Sequence, residues 1–216
     1  MRKLISLILV IIFPYISLGL SARIAFSEKF IEWEYSRKNF PEDRWGMEKE
    51  ERLKLAKLGL KAVISDKGME EFKKARLKNG KRAFTDREVK HMEDVKRFLS
   101  FFFPSVYVLS IIWIAGVFLL RSFDVLIWSG IFNSLLLLFL GILTFTNYEK
   151  AFELFHNVVF DPYSWKFRYS DTLIRIYPMK FWYDGTLFVA ILSFLFGILV
   201  LFTGILGKKF LKGKGA

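Results

Sequence analysis

The sequence predicts an all-α membrane protein with four transmembrane helices and a mainly helical extracytoplasmic cap between helices 1 and 2. Three observations lead to this prediction. The 216 residues are 53% hydrophobic and 18% aromatic, which is more apolar than an ordinary soluble domain. Four uncharged runs are close to the roughly 20 residues that cross the hydrocarbon core of a bilayer. One polar segment of 75 residues separates the first run from the other three.

The segment boundaries follow the uncharged runs and their flanking charges. The predicted segments are 1–22 for transmembrane helix 1, 23–97 for the extracytoplasmic cap and stem, 98–148 for transmembrane helices 2 and 3, 149–184 for an extracytoplasmic loop, and 185–216 for transmembrane helix 4 and a cytoplasmic tail. The basic start and the small residues Gly19, Ser21 and Ala22 also fit a cleaved signal peptide. Whether the first helix is retained is therefore left open.

The charges that flank the runs predict the orientation of the protein. On one side, the short segments carry two N-terminal cations, Arg121 and four C-terminal lysines against a single acid, Asp124. The loop 149–184 carries five charges of each sign. By the positive-inside rule, both termini are expected in the cytoplasm and the cap and the loop outside it.

The composition excludes several kinds of site. The chain has no cysteine, so disulfides, thiol nucleophiles and cysteine-based metal centres are excluded. The net charge of +12 does not indicate nucleic-acid binding, because the basic residues flank apolar runs and attraction to the membrane surface explains them better. No metal-ligand spacing and no serine-hydrolase elbow occurs, and no metal or cofactor is expected. Trp165, Trp182 and Tyr183 are assigned to an interfacial aromatic belt.

Within the cap, the pattern of apolar residues predicts three short elements. Residues 30–35 mix aromatic and acidic side chains as a short strand does, and residues 82–84 are its expected pairing partner. Apolar residues within 42–63 predict a helix. A second helix is predicted from Ser65 to Arg76, before Asn79–Gly80.

The next helix is predicted to begin at Thr85–Glu88, which has the spacing of a capping box. Nothing breaks the pattern before the uncharged run 98–120, so His91 is expected on the stem of a membrane helix. Glu88 and Asp94 lie three residues either side of His91 and share its helix face. Either carboxylate could therefore orient the imidazole or raise its basicity.

His91 and His156 are the only two histidines in the chain. His91 precedes its span by seven residues, and His156 follows the end of its span at Tyr148 by eight. At about 1.5 Å per residue, helical continuation places both about 10 to 12 Å outside the hydrocarbon edge. Lipid glycerol esters lie near this level, so two imidazoles there could serve acyl chemistry. Ordinary polar surface residues are the alternative interpretation.

Three stretches resemble the lipoprotein intramolecular transacylase family, a family of integral membrane proteins. They are FTDREVKHMEDVK at 84–96, AFELFH at 151–156, and DTLI at 171–174 followed by Pro178 and Phe181. In architecture the resemblance covers the whole chain. It implies that the sn-2 acyl chain of a diacylglyceryl-modified bacterial lipoprotein moves to the α-amine of its own N-terminal cysteine. The product is the lyso form, and no cofactor or second substrate is needed.

The resemblance also implies roles for individual residues. His91 and His156 match the functional pair of the family. One imidazole acts as base on the α-amine and the other as acid or oxyanion donor, with His156 the slightly favoured base. Asp171 and Arg175 are expected to order the loop or hold the glyceryl headgroup. For these two residues, as for Glu88 and Asp94, ordinary ion pairing is the alternative.

Two other functions remain open on the sequence. One is a non-enzymatic polytopic membrane partner, in which the histidines would be dispensable. The other is a phospholipid acyl hydrolase, which would admit water where a transacylase excludes it. The partners expected for the transacylase are the lipoprotein and membrane lipids. The sequence predicts no oligomeric state.

Overall fold

A computed structural model describes residues 1–161 and 163–214, with side chains described up to residue 210. All regular structure in these ranges is helical, apart from one isolated bridge between Arg76 and Arg82. The helices, in chain order, are α1 (Arg2–Ala25), α2 (Glu28–Ser36), α3 (Lys49–Ile64), α4 (Asp66–Lys74), α5 (Asp86–Leu120), α6 (Phe123–Thr146), α7 (Tyr148–Val159), α8 (Thr172–Ile176) and α9 (Met179–Lys214).

Four of these helices, α1, α5, α6 and α9, are long and apolar enough to cross a membrane. Their hydropathy comes from the uncharged runs seen in the sequence. The predicted all-α membrane fold with four spans is therefore confirmed.

The chain divides into two compact units. The first, called here the bundle unit, contains residues 1–23, 102–147 and the chain from Leu187. The second, called here the polar unit, contains Ile24–Phe101 and Tyr148–Thr186. The polar unit thus combines most of the predicted cap with all of the predicted loop, although they are distant in sequence.

Side chains of α1, α5 and α6 form the apolar core of the bundle unit. The rings of Phe13 and Trp113 lie 4.9 Å apart, and Leu9, Ile16, Val125 and Leu126 complete the buried cluster. A Cβ added at Gly130 would lie 2.5 Å from the carbonyl oxygen of Gly197. These small residues therefore allow α6 and α9 to approach closely, as in other membrane bundles.

A buried polar network also joins the helices of the bundle unit. The Oγ atom of Ser17 on α1 lies 2.6 Å from both Asn133 Oδ1 on α6 and Ser193 Oγ on α9. Asn133 Nδ2 donates to the carbonyl oxygen of Ser193 at 3.0 Å. Because hydrocarbon offers these groups no other partner, the bonds favour one arrangement of α1, α6 and α9.

The prediction of a strand at residues 30–35 is wrong. These residues belong to helix α2, whose first turn is capped by the side chain of Ser27 accepting from the Phe30 amide at 3.3 Å. Phe30, Ile31, Glu34 and Tyr35 are buried on one side of the helix. Their spacing is helical, and of the two interleaved acids that suggested a strand only Glu32 is exposed. The expected pairing with 82–84 is wrong too, because Arg82 bridges to Arg76.

The two helices predicted in the cap are present with different ends. Helix α3 begins at Lys49 rather than at 42, because Asp43 accepts hydrogen bonds from the amides of Trp45 at 3.1 Å and Met47 at 2.7 Å and so forms a turn. Ser65 caps α4 as predicted, accepting from the Gly68 amide at 3.0 Å.

Helix α5 begins at the predicted capping box. The Thr85 amide donates to Glu88 Oε2 at 2.7 Å, and the Glu88 amide donates to Thr85 Oγ1 at 3.3 Å. The helix continues to Leu120, through Pro104. His91 therefore lies in its charged stem, before the apolar run 98–120, as predicted.

The segment predicted as the loop 149–184 is largely helical. It contains most of α7, all of α8 and the first turns of α9, which begins at Met179. Helix α6 ends at Thr146, and Asn147 interrupts the helix with φ of −147° before α7 begins. The straight helical continuation expected between the third span and His156 is therefore wrong.

Candidate active site

The polar unit brings His91 of α5 and His156 of α7 together. Their ring centroids lie 6.1 Å apart, and the ring planes are inclined by 29°. The two side chains therefore lie within reach of one substrate, although they are 65 positions apart in the sequence.

Four aromatic rings surround the two imidazoles, and we call them the aromatic collar: Phe152, Phe160, Trp165 and Phe167. Two of them contact His91 edge-on, Phe160 at 5.2 Å and Phe167 at 5.4 Å between centroids. The other two lie close to His156, Phe152 at 4.0 Å and Trp165 at 4.9 Å. The histidine pair therefore lies in apolar surroundings.

A hydrogen bond to the backbone fixes the ring of His156. Its Nδ1 lies 2.8 Å from the carbonyl oxygen of Phe152, one turn earlier on α7. Because a carbonyl oxygen can only accept, Nδ1 carries the proton in the neutral ring. The lone pair is then on Nε2, which is the atom left for proton abstraction.

The ring of His91 is held differently. The residue is 9% exposed, and its Nδ1 is buried without a hydrogen-bond partner. A buried N–H without an acceptor is rarer in proteins than a buried acceptor without a donor. We therefore infer that neutral His91 carries its proton on Nε2, which makes that atom a hydrogen-bond donor.

Both imidazoles are uncharged at neutral pH. Burial, together with the nearby His156 and against the opposing effect of Asp94, lowers the pKa of His91 to about 4. Burial also lowers the pKa of His156, against the smaller opposing effect of its hydrogen bond to Phe152. Neutral rings are the forms that can act as a base and as a donor near pH 7.

The two carboxylates expected to orient His91 do not hydrogen-bond to it. Glu88 is 1% exposed, and besides closing the capping box it accepts the Leu173 amide at 2.7 Å. Glu88 therefore satisfies amides at the starts of two helices, α5 and α8. Asp94 pairs instead with Lys90, at 3.2 Å, and acts on His91 only through its charge.

Asp171 lies at the segment that carries the collar residue Phe167. Its Oδ2 accepts from the amide of Arg168 at 2.9 Å and from Arg87 of the α5 stem at 3.3 Å. The Arg87 guanidinium in turn lies 5.4 Å from the ring centroid of Phe167. These contacts order the segment beside His91, which fits the loop-ordering role expected for Asp171.

Arg175 makes its contacts with the cap part of the polar unit. It donates through Nε to Asp43 Oδ1 at 3.0 Å and through Nη2 to Asp43 Oδ2 at 2.9 Å. Burial alone would raise the pKa of Asp43, but the hydrogen bonds from Arg175 and from backbone amides hold that pKa below its ordinary value. This bidentate pair fits the loop-ordering role of Arg175 rather than a grip on a headgroup.

Family comparison identifies the chemistry. Residues 5–182 match the family model of the lipoprotein intramolecular transacylase Lit. The chain belongs to this family. It is therefore an enzyme, an intramolecular transacylase, and a multi-pass integral membrane protein, as the resemblance implied. The alternative of a non-enzymatic membrane partner is wrong.

Solved structures of similar fold come from Bacillus cereus. The in meso structure of its membrane integral lipoprotein intramolecular transacylase Lit has a TM-score of 0.68 and 16% sequence identity, covering 100% of this chain and 99% of that chain. A variant of that Lit protein with one histidine replaced by alanine has a TM-score of 0.62 and 18% identity, covering 100% of this chain and 96% of that chain. A histidine-to-arginine variant has a TM-score of 0.61 and 16% identity, covering 99% and 95%.

Sequence reasoning for this Lit family member missed the aromatic collar and the partner of Arg175. Phe152, His156 and Phe160 recur every fourth residue, so a helical interpretation of the loop would have placed them on one face. Trp165 was assigned to the interfacial belt, but its indole lies beside His156 and donates to Asn157 at 3.2 Å. No local signal pointed to Asp43, which is distant in sequence from Arg175.

Proposed function

We propose that this transacylase moves the sn-2 acyl chain of a diacylglyceryl-modified bacterial lipoprotein to the α-amine of the lipoprotein's own N-terminal cysteine. The product is the lyso form. One observation carries the proposal: two buried imidazoles lie 6.1 Å apart within an aromatic collar, Nδ1 of His156 bonds to a backbone carbonyl, and Nδ1 of His91 has no partner. The complementary proton positions inferred above follow from these contacts. The match of the chain to the Lit family supplies the class of reaction.

Each bond change has a group positioned for it. The C–N bond of the new amide forms, and the C–O bond of the sn-2 ester breaks. The attacking amine loses a proton, which Nε2 of His156 accepts, and the imidazolium so formed returns a proton to the departing glycerol oxygen, so both rings end neutral. Nε2 of His91 donates a hydrogen bond to the tetrahedral oxyanion.

The aromatic collar favours transfer to the amine over hydrolysis. Rings on both sides of the imidazoles leave little polar surface to hold water beside the ester. In such surroundings the charges that develop in the reaction interact more strongly with positioned donors. A phospholipid acyl hydrolase would need a polar path for water to this point.

The charge asymmetry of the chain gives the proposed orientation. Both termini lie in the cytoplasm, and the histidine pair lies on the extracytoplasmic face of the bacterial cytoplasmic membrane. The proposed organisation keeps residues 23–97 and 149–184 outside the bilayer. The partners are then the diacylglyceryl lipoprotein and the surrounding membrane lipids.

Mass spectrometry of lipoprotein N-terminal peptides tests the reaction. The full chain is expressed in a host that makes diacylglyceryl lipoproteins, and the double variant His91→Ala, His156→Ala serves as the matched control. An internal transfer leaves the peptide mass unchanged and gives N-acyl, S-monoacylglyceryl fragments. A loss of mass equal to one fatty acid identifies a hydrolase instead. Diacylglyceryl peptides with a free amine, despite full expression, contradict the proposal.

A further inference from the structure

A cationic cleft lies at one end of the bundle unit, where α1 begins, α5 turns into α6 and α9 nears its end. It encloses about 580 Å³. Four cations, Arg2, Lys3, Arg121 and Lys208, line it together with one acid, Asp124. The transacylation described above uses none of these residues.

The charge of the cleft is only partly neutralised within the protein. Lys208 forms an ion pair with Asp124. One nitrogen of Arg2 donates to the carbonyl oxygen of Leu120 at 3.0 Å, which orients the guanidinium without neutralising it. In residues 1–161 and 163–210, no ion pair includes Arg2, Lys3 or Arg121. Three positive charges therefore face one cleft.

An apolar groove continues from the cleft along α1 and α6. The two cavities share Ser6, Ser122 and Asp124 as lining residues, and the groove encloses about 390 Å³. The apolar side chains that line the groove include Leu7, Val10, Trp128, Phe132 and Leu135. Trp128, with 59% of its surface exposed, forms an open aromatic wall.

We propose that the cleft and the groove together bind one anionic glycerophospholipid. Its phosphodiester interacts with Arg2, Lys3 and Arg121, and one acyl chain lies in the groove between α1 and α6. The charge of the cleft is complementary to that headgroup, and basic pockets between membrane helices are known to hold anionic headgroups. The lipid is a resident ligand and not a substrate, so the proposal goes beyond the transacylase reaction.

The adjoining groove distinguishes this site from general attraction to an anionic membrane. Surface attraction needs only positive charge near the headgroups and acts without a defined acyl position. Here the cations converge on a concave surface whose far end is apolar. A free phosphate would satisfy the cleft alone, whereas a phospholipid satisfies both parts.

Native mass spectrometry of the full-length protein in neutral detergent tests the lipid preference. Dioleoyl phosphatidylglycerol and dioleoyl phosphatidylcholine are added at equal concentration, so that the acyl chains are the same and the headgroups are anionic and zwitterionic. We expect phosphatidylglycerol to be retained at least about tenfold more strongly, because each nearby cation is worth about fivefold in affinity. Equal retention of the two lipids overturns the proposal.

Paired variants with the same change of charge separate the cleft from the surface. The cleft variant is Lys3→Gln with Arg121→Gln, and the control is Lys209→Gln with Lys49→Gln, two residues that do not line the cleft. The cleft variant is expected to lose about 25-fold in phosphatidylglycerol retention. The control is expected to stay within about twofold of the unchanged protein. An equal loss in both variants overturns the proposal.

Two anionic compounds with short acyl chains or none test the groove. Dihexanoyl phosphatidylglycerol and glycerol 1-phosphate carry the anionic group without a long chain. We expect neither to displace dioleoyl phosphatidylglycerol from the unchanged protein at equal concentration. Displacement by glycerol 1-phosphate would show a simple anion site, and would overturn the phospholipid as its occupant.

Discussion

The Nδ1 atom of His156 lies 2.8 Å from the carbonyl oxygen of Phe152, a bond that leaves the lone pair of the neutral ring on Nε2. Replacing His156 by alanine or glutamine removes that base, so both variants should lower the transfer rate by about 10² to 10⁴. The measurement is the yield of lyso-form peptide by mass spectrometry. Glu153→Gln on the exposed face of α7 is the matched control. Near-normal yield from either His156 variant removes His156 from the mechanism.

His91 is expected to respond differently to the same two substitutions. If its role is donation from Nε2, the glutamine amide can supply an N–H at a similar position, whereas alanine cannot. The His91→Gln variant should therefore be at least about tenfold more active than the His91→Ala variant. Purified protein and a fixed lipoprotein concentration make the two rates comparable. Equal rates for the two variants would contradict a donor role for His91. If glutamine restores activity at position 156 and not at position 91, His156 is the donor and His91 is the base.

The depressed pKa values of the two histidines predict how the rate depends on pH. Both histidines are neutral above the ordinary pKa of 6.5, so their protonation should not change the rate between pH 7 and 8. The α-amine of the substrate, with an ordinary pKa of about 7.7 to 8, also titrates in this range, so each rate is divided by the fraction of neutral amine. This corrected rate should drop only below 6.5, when His156 gains a proton. Single-turnover rates between pH 5 and 8 test this, and an acid limb at or above 6.5 in the corrected rate would contradict the burial argument.

The lowered pKa of His91 also makes the stability of the folded protein depend on pH. A folded-state pKa of about 4 for His91 lies below its ordinary value of 6.5, so unfolding takes up a proton between these pH values. The contribution of His91 is therefore fully present above pH 6.5 and decreases as pH falls toward 4. His91→Gln, which does not titrate, should have a smaller decrease in apparent melting temperature over this range.

Glu88 shows what the sequence could and could not predict about the site. The capping box and the neighbourhood of His91 were visible, because both depend on residues within one turn of each other. The bond from Leu173 to Glu88 was not, because chain folding alone brings α8 to the start of α5. The same reason applies to Asp43 and Arg175. The four spans needed no such information, since their length and apolarity are local properties.

Substitution of Glu88 should mainly affect stability. Glu88→Ala leaves the buried amide of Leu173 without an acceptor and should lower the free energy of unfolding by about 1–3 kcal/mol. Glu93→Gln, at a half-buried position on the same helix that pairs with Lys73, is the control. Thermal unfolding followed by tryptophan fluorescence provides the measurement. Loss of the acid limb in the pH profile, with unchanged stability, would assign Glu88 to the chemistry instead.

Besides the histidine pair, the polar unit contains a pair of buried acids, Glu34 and Asp184. Glu34 is fully buried, and its Oε1 has no N–H or O–H donor. Arg37 contacts both acids, at 3.2 Å from Glu34 Oε2 and 2.8 Å from Asp184 Oδ2. Burial and the neighbouring Asp184 raise the pKa of Glu34 to about 7, against the opposing effect of Arg37. We therefore infer that Glu34 donates a proton to Asp184 in the folded protein.

This shared proton predicts that stability falls in mild alkali. The folded-state pKa of Glu34 lies above its ordinary value of 4.5, so its contribution is fully present below pH 4.5 and is lost as pH rises through 7. The slope from this one group is at most about 1.4 kcal/mol per pH unit. Glu34→Gln keeps a donor toward Asp184 without titrating, so it should be more stable than the unchanged protein at pH 8 and should lack that slope. Glu32→Gln, an exposed change on α2, should leave the slope intact, and apparent melting temperatures from pH 5 to 8 compare the three proteins. A Glu34→Gln protein less stable at pH 8, or with an unchanged slope, would contradict the shared proton.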